Sequence, residues 1–228
     1  MPLVLGERLM TMADLVDPLW RVADVACDHG YLAALLLQRG NPIALAMDIS
    51  AESLKKAQDL AQKLQLGVKM PTRLSDGLHA IEPQDAIHCA VIGGIGGVLM
   101  ARIIEQAREK LIVPAALVLQ PQNAIDVVRI RLAQMSYEVV VERIAMEKAR
   151  YYPVLLAQPG KPFMPRDLFE KEFGEVKRPL DTARRAFIQK KMDTVKAILP
   201  TLLRSDNENT QRRAMELAQF CKRCEEVL

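Results

Sequence analysis

Asp24, Asp28 and His29 stand in the stretch ADVACDHGYL (residues 23–32), where an apolar run gives way to a helix-forming one. An acid at the end of a strand, followed by a tight turn into a helix, is a general way to hold a nucleotide-like ligand. Backbone N–H groups at the helix start face the ligand, and small residues let it approach. Ala26 and Asp28 occupy the first two positions that such a turn fills with glycine; Cys27 lies between them, and only Gly30 is retained. A carboxylate at position 28 repels a pyrophosphate, but it is compatible with a sulfonium or with the ammonium of an amino-acid moiety. This favours S-adenosylmethionine over NAD as the ligand.

Asp48 and Ile49 end the next apolar run (AMDIS), 24 positions after Asp24. An acid there accepts hydrogen bonds from ribose hydroxyls, or else caps the helix that follows. Ser75, Asp76 and Gly77 (LSDGL) follow a third run, where Asp76 either accepts from an adenine amino group or belongs to a plain turn. Gly93, Gly94, Gly96 and Gly97 (GGIGG) end a fourth run, and so many glycines argue for close approach by a ligand or planar substrate. LQPQ, ending in Gln122, brings amides to the same rim. His29 reads equally as a packed residue or a functional one. Cys221 and Cys224 (CKRC) fall on a helix seam with no second pair, so core packing is expected and no metal site.

The elements that must position these residues alternate. Residues 5–16 read as an amphipathic helix. RVADVA, PIALAMDI, VKMPTRL, IHCAVI and AALVLQP read as strands, with helices between them. Ser50 is placed to cap the helix after PIALAMDI. YEVVVERIAM and YYPVLLAQPG read as a closing antiparallel pair. Short strand–helix alternation implies right-handed crossovers and a mostly parallel α/β sheet, which binds ligands beyond the carboxyl ends of its strands. The proline- and glycine-rich QPGKPFMPRD marks a boundary, giving domains 1–160 and 161–228. Beyond it, Ile188, Met192, Val195, Leu199 and Leu202 form one seam, and Ala214, Leu217, Cys221, Cys224 and Leu228 form another. A helical, coiled-coil-like hairpin is expected there, with SDNEN as its turn and Pro200 ending or kinking the first long helix.

Net charge is +3, and it is uneven. From Lys161 onward there are 15 Lys and Arg against 11 Asp and Glu, so the tail is mildly basic. Aromatic residues make up 4% of the chain, which argues against a broad stacking surface for single-stranded nucleic acid. The four cysteines form no disulfide framework, which fits a reducing compartment. No uncharged stretch approaches the roughly 18–20 apolar residues of a membrane span. A cytoplasmic monomer or weak dimer is expected.

ADVACDHGYL, LSDGL, GGIGG, LQP and RYYPVLLA, in this order, together with the opening GERLMTMADLV, resemble the motifs of the bacterial tRNA (adenine-22-N1)-methyltransferases. The resemblance covers nearly the whole chain. It implies a class I, Rossmann-like methyltransferase fold, with S-adenosylmethionine as cofactor and tRNA as partner. It implies cofactor contacts from Asp24, Ala26, Cys27, Asp28, His29, Gly30, Asp48, Ile49, Ser75, Asp76, Gly77 and Gly93. Tyr31, Gly94, Gly96, Gly97, Gln122 and Tyr152 match motif positions near the target base, and Arg8 is placed with the substrate. Asp28, Tyr31 and Gln122 are the candidate catalytic residues. Arg184, Arg185, Lys190 and Lys191 are the candidate phosphate contacts of the hairpin. The chain departs from the family pattern at Ala26 (usually glycine), Cys27 (serine) and Gln122 (asparagine), with Asn123 directly after. Three rival readings are an NAD-dependent oxidoreductase, a non-catalytic RNA-binding protein on the same scaffold, and a methyltransferase acting on a protein or small molecule.

Overall fold

The computed structural model describes Leu3 and residues 5–228. The chain divides after Pro162 into two compact units.

The first unit is a seven-stranded sheet in the order β3-β2-β1-β4-β5-β7-β6. β1 (Val22–Val25), β2 (Ala44–Asp48), β3 (Thr72–Leu74), β4 (Cys89–Ile95) and β5 (Ala116–Pro121) run parallel. β6 (Tyr137–Glu147) and β7 (Arg150–Pro159) form a ribbon, and β7 joins β5 antiparallel. α2 (Tyr31–Gln38), α3 (Ala51–Lys63), α4 (Gly97–Glu109) and α5 (Ile125–Gln134) alternate with the parallel strands. β1 and β5 are buried along their whole length, as strands covered on both faces must be. The chain winds outward from β1 in both directions, so the switch point lies between β1 and β4, where such sheets open a crevice.

The short opening helix α1 (Glu7–Ala13) is narrower than the 5–16 span of its apolar pattern. Met12, Ala13, Leu15 and Val16 are nonetheless all buried, in a cluster with Leu36, Val91 and Val118. Ser50 caps α3 as its position suggests, accepting from Ser53 N at 3.2 Å. β4 continues through Gly93 and Gly94 to Ile95, so the first three residues of the GGIGG segment are strand rather than turn.

The second unit holds α6 (Leu168–Phe173), α7 (Thr182–Leu203) and α8 (Glu208–Val227). α7 and α8 pack along the expected seams: Ile188, Met192, Ala214, Leu217, Cys221 and Cys224 are buried. α6 was not legible, because six residues are too few to show a helical period. Pro200 does not end α7, which continues to Leu203. A proline removes one hydrogen bond near a helix end that packing on α8 can offset. Four of the chain's five phenylalanines, Phe169, Phe173, Phe187 and Phe220, meet here. Phe173 is central, with ring centroids 5.0 Å from Phe169, 5.5 Å from Phe187 and 5.6 Å from Phe220. Beside them Glu170 is held at a pKa of about 2, chiefly by its hydrogen bonds with Arg166 and also by Arg223. Among the described residues, no helix is long and apolar enough to cross a membrane.

Phe173→Ala should cost about 3–5 kcal/mol. Amide exchange would read this as lost protection along α6, α7 and α8. Retained protection of those helices would show that the aromatic cluster is not what holds the unit together.

Candidate active site

A cavity of about 250 Å³ opens at the switch point. Asp24, Ala26, Cys27, Asp28, His29, Tyr31 and Leu32 line it from β1, its turn and the start of α2. Gly93, Gly94, Ile95 and Gln122 line it from β4 and the end of β5, and Arg8, Leu9 and Met12 line it from α1.

The turn 26–30 is unusual in its backbone. Ala26 has φ 57° and Asp28 has φ 50°, the left-handed region that costs a residue bearing a Cβ about 1–2 kcal/mol. Two carboxylates hold it there. Asp48 Oδ2 accepts the Asp28 amide at 3.0 Å, while its Oδ1 accepts Ser50 N at 2.9 Å. Asp24 Oδ2 accepts Ala33 N at 3.1 Å, in the first turn of α2. Gly30, the N-cap of α2, has no side chain to do this, and no other residue fits. Its φ is +70°, and a Cβ would lie 2.5 Å from Met70 Cε and 2.9 Å from Ala57 Cβ.

The charges follow from this packing. Asp24 is buried, and its pKa rises to about 7, mainly through loss of solvent and further through Asp48; the Ala33 amide offsets part of the rise. Burial, reinforced by the surrounding carboxylates of Asp24, Asp48 and Asp28, also pushes the Cys27 thiol well up, so it is no nucleophile. Asp28 projects outward, its Oδ2 2.7 Å from His29 Nδ1. The His29 ring stacks towards Tyr31 at 5.8 Å, and Tyr31 is itself exposed.

The glycines of the GGIGG segment have mixed reasons. A Cβ on Gly97 would lie 2.4 Å from the Ala124 carbonyl oxygen and 2.5 Å from that of Asn123. A Cβ on Gly93 would strike Met12 Cε at 2.4 Å. Helix and turn packing therefore explain these two, where a planar ligand was expected to. Gly94, at φ +77°, has only Arg8 Nη1 (3.4 Å) and Gln122 Nε2 (3.9 Å) near its missing Cβ, both side-chain ends that line the cavity.

Other expected residues lie elsewhere. Gly96 and Gly97 sit outside the cavity lining, and Asn123 is committed to them: its Oδ1 accepts Gly97 N at 3.2 Å. Ile49 and Asp76 are exposed at the ends of β2 and β3, beyond that lining. The Ser75 hydroxyl holds its own turn, donating to Gly77 O at 2.8 Å and accepting Ala80 N at 3.1 Å. Gly77 abuts Ile103. Tyr152 lies under the Arg8 guanidinium, 5.6 Å away, rather than in the cavity wall.

Arg184 is a correction: it is buried, and its guanidinium donates to the Phe173 carbonyl, so it is not displayed to a phosphate. Arg185 is exposed and donates to the Leu228 carbonyl, Lys190 is exposed, and Lys191 pairs with Glu172 at 2.7 Å. Cys221 and Cys224 are buried free thiols, and no metal-holding group occurs among the described residues.

Sequence reasoning missed Leu9, Met12, Leu32 and Ile95 as cavity lining, because apolar residues carry no chemical signal. It placed the amides of LQPQ at the rim but gave a role to Gln122 and none to Gln120. This residue is fully buried, yet its Oε1 accepts both Arg8 Nη1 (3.1 Å) and Gly94 N (3.2 Å). Its place in an otherwise apolar strand was the available signal.

The raised pKa of Asp24 gives a stability profile with a definite sign. The folded chain holds this proton more tightly than the unfolded chain, whose carboxyl titrates near 3.8. The contribution is complete below that value and is lost as pH rises through about 7. The denaturation midpoint should therefore fall between about pH 4 and pH 7, and Asp24→Asn should flatten that slope. An unchanged slope in the variant would assign the pH dependence to other groups.

Comparison with known proteins gives the geometry a family. The model of the methyltransferase domain matches residues 5–155. The tRNA (adenine(22)-N(1))-methyltransferase of Bacillus subtilis is 31% identical over 159 residues, 69% of this chain and 66% of its own length. The crystal structure of a putative tRNA (m1A22) methyltransferase from Streptococcus pneumoniae superposes with a TM-score of 0.87 at 28% identity, covering 99% of this chain and 100% of that one. The same Streptococcus pneumoniae protein in complex with S-adenosyl-L-methionine matches with a TM-score of 0.84 at 27% identity, again over 99% and 100% of the two chains. A cavity at the β1–β4 switch point, carboxylates in its turn and these likenesses over sequence and fold lead to one assignment: the chain belongs to the class I methyltransferases of the bacterial tRNA (adenine-22-N1)-methyltransferase family.

Proposed function

We propose that this protein methylates N1 of an adenine in tRNA, at position 22 as the name of its Bacillus relative states, with S-adenosylmethionine as cofactor. The observation that carries the reading is the switch-point cavity with Asp24 and Asp28 in its wall. A carboxylate pair suits a ligand bearing a sulfonium and an ammonium, and it opposes the pyrophosphate of a dinucleotide. The donor set therefore fits the cofactor, which when bound supplies an electrophilic methyl group.

Asp24, Ala26, Cys27, Gly30 and Gly93 form the cofactor's floor in this reading. Asp48 accepts from its ribose, with Ile49, Ser75, Asp76 and Gly77 around the adenine end. Adenine N1 has a lone pair at neutral pH, so no strong base is required, and rate comes from proximity and orientation. Tyr31, exposed beside His29, offers a flat face to the target base, and Gln122 offers an amide to its edge. The methylated base is cationic. The Asp28 carboxylate stabilises that charge as it develops, and His29 at 2.7 Å fixes its orientation.

A base within paired RNA must leave its stack, at a cost of a few kcal/mol that contacts elsewhere on the tRNA offset. The helical unit, with exposed Arg185, Lys190, Arg212 and Arg213, serves those contacts in this reading. Such binding weakens with salt. A tRNA substrate would be met in the cytoplasm.

Transfer from labelled S-adenosylmethionine to unmodified tRNA, followed by nucleoside analysis, should yield 1-methyladenosine. tRNA that binds but stays unmethylated would point instead to a non-catalytic RNA-binding protein. Asp28→Ala should lower turnover by about 10²-fold. Its affinity for S-adenosylhomocysteine should fall less, by about tenfold or under, because the same carboxylate faces the ligand's ammonium. Unchanged turnover would remove Asp28 from the mechanism.

A further inference from the structure

The ribbon of β6 and β7 runs past the sheet that it closes. β7 pairs with β5 only as far as Leu155, opposite Leu119, whereas its pairing with β6 continues to Arg150, opposite Glu147. Residues 150–154 therefore carry the ribbon roughly 16 Å beyond its last pairing with β5, at about 3.3 Å per residue. Because β7 is antiparallel to β5, this overhang leaves the sheet at the carboxyl end of β5, the edge where Gln122 lines the cavity. An unsupported two-stranded ribbon is marginal in water, and α1 braces this one. Glu7 Oε1 accepts Met146 N at 3.1 Å, and the Arg8 guanidinium lies 5.6 Å from the centroid of the Tyr152 ring.

The tip of the ribbon is Glu147, Lys148, Ala149 and Arg150. Lys148 and Ala149 have φ 50° and 60°, the pair of positive values of a tight hairpin turn. Lys148 and Arg150 are exposed, and neither side chain has an ion-pair or hydrogen-bond partner among the described residues. Glu147, the acid of the tip, is turned the other way. Its Oε2 is 3.7 Å from Arg8 Nε, and its Oε1 fills the space that Gly6 leaves by lacking a Cβ. Other cations of this unit are spent on acids: Arg73 on Asp85, Arg129 on Glu142 and Arg131 on Glu105. The tip thus displays two uncompensated positive charges on a braced arm at the cavity edge.

We infer that Lys148 and Arg150 hold phosphates of the tRNA strand next to the adenine that enters the cavity. The inference rests on the reading of tRNA as substrate. The acids of the cavity wall repel a phosphate backbone, so the strand that delivers the base must be held from outside the cavity, at the same edge of the sheet. A cation on a fixed turn does this, and such contacts position a strand without reading its sequence. The catalytic unit then has a grip of its own on the strand, apart from any contact made by the helical unit.

The test is tRNA affinity measured over a range of salt concentrations, with S-adenosylhomocysteine affinity as the control for an intact cleft. The double variant Lys148→Ala, Arg150→Ala should bind an unmodified tRNA transcript about tenfold more weakly. Its plot of log affinity against log salt should be shallower by about two, one for each phosphate released. Its affinity for S-adenosylhomocysteine should stay within about twofold. The swap Lys148→Arg, Arg150→Lys keeps both charges and should largely restore tRNA binding. Unchanged affinity and salt slope in the alanine variant would overturn the assignment. So would equal losses for tRNA and S-adenosylhomocysteine, which would make the tip a support of the cleft. A loss in the swapped variant as large as that in the alanine variant would also overturn it, because the shape of the turn and not its charge would then matter. Failure of the wild-type protein to bind tRNA would instead refute the substrate reading itself.

Discussion

The β1–α2 turn depends on the hydrogen bond from the Asp28 amide to the Asp48 carboxylate. It ties the cavity-lining turn to the end of the neighbouring strand, and it holds Asp28 at a left-handed φ of 50°. Without a partner for that amide the turn would relax to a commoner backbone, and the Asp28 side chain would turn away from the cavity. The same carboxylate accepts Ser50 N, so one residue at the tip of β2 organises both the turn and the start of α3. Asp24 does the matching work one strand over, bonding Ala33 N in α2 at the cost of a carboxyl that ionises only near pH 7.

The opposite wall is built by close packing. Met12 fills the space left by Gly93, and the 123–124 turn sits against Gly97, so α1, β4, β5 and α4 are fixed relative to one another. Gln120 lies where these pieces meet, bonding both Gly94 and Arg8. The two walls therefore present opposite charge for different reasons. The acids come with the β1 turn, and the guanidinium arrives from α1 only because a buried amide in β5 anchors it.

The helical unit rests on aromatic packing more than on its long seams. Val195, Leu199 and Leu202 are only half-buried, whereas Phe169, Phe173, Phe187 and Phe220 are all buried around Phe173. An overall aromatic content of 4% hides this concentration. The same core draws in Arg184, whose position on α7 turns its guanidinium to the Phe173 carbonyl and away from solvent.

Strand–helix alternation, the helix caps and the motif turns are local, and they were legible in the residues themselves. Ser50 caps α3 because a serine before a helical run does so wherever it stands. The mostly parallel sheet and its closing ribbon follow from the same alternation, whereas the strand order β3-β2-β1-β4-β5-β7-β6 is a tertiary fact. Roles set by neighbours distant in the chain were not legible. Whether Gly97 makes room for a ligand or for a carbonyl depends on where residue 124 lies. Whether Arg184 faces solvent depends on the packing of α6, and whether Arg8 faces the RNA or the cavity depends on Gln120, 112 positions away. Residue type and spacing determine which chemistry is available. Only tertiary packing decides which polar groups are spent on holding the fold and which remain for a ligand, because a buried hydrogen-bonding group must be satisfied by whatever the fold brings beside it.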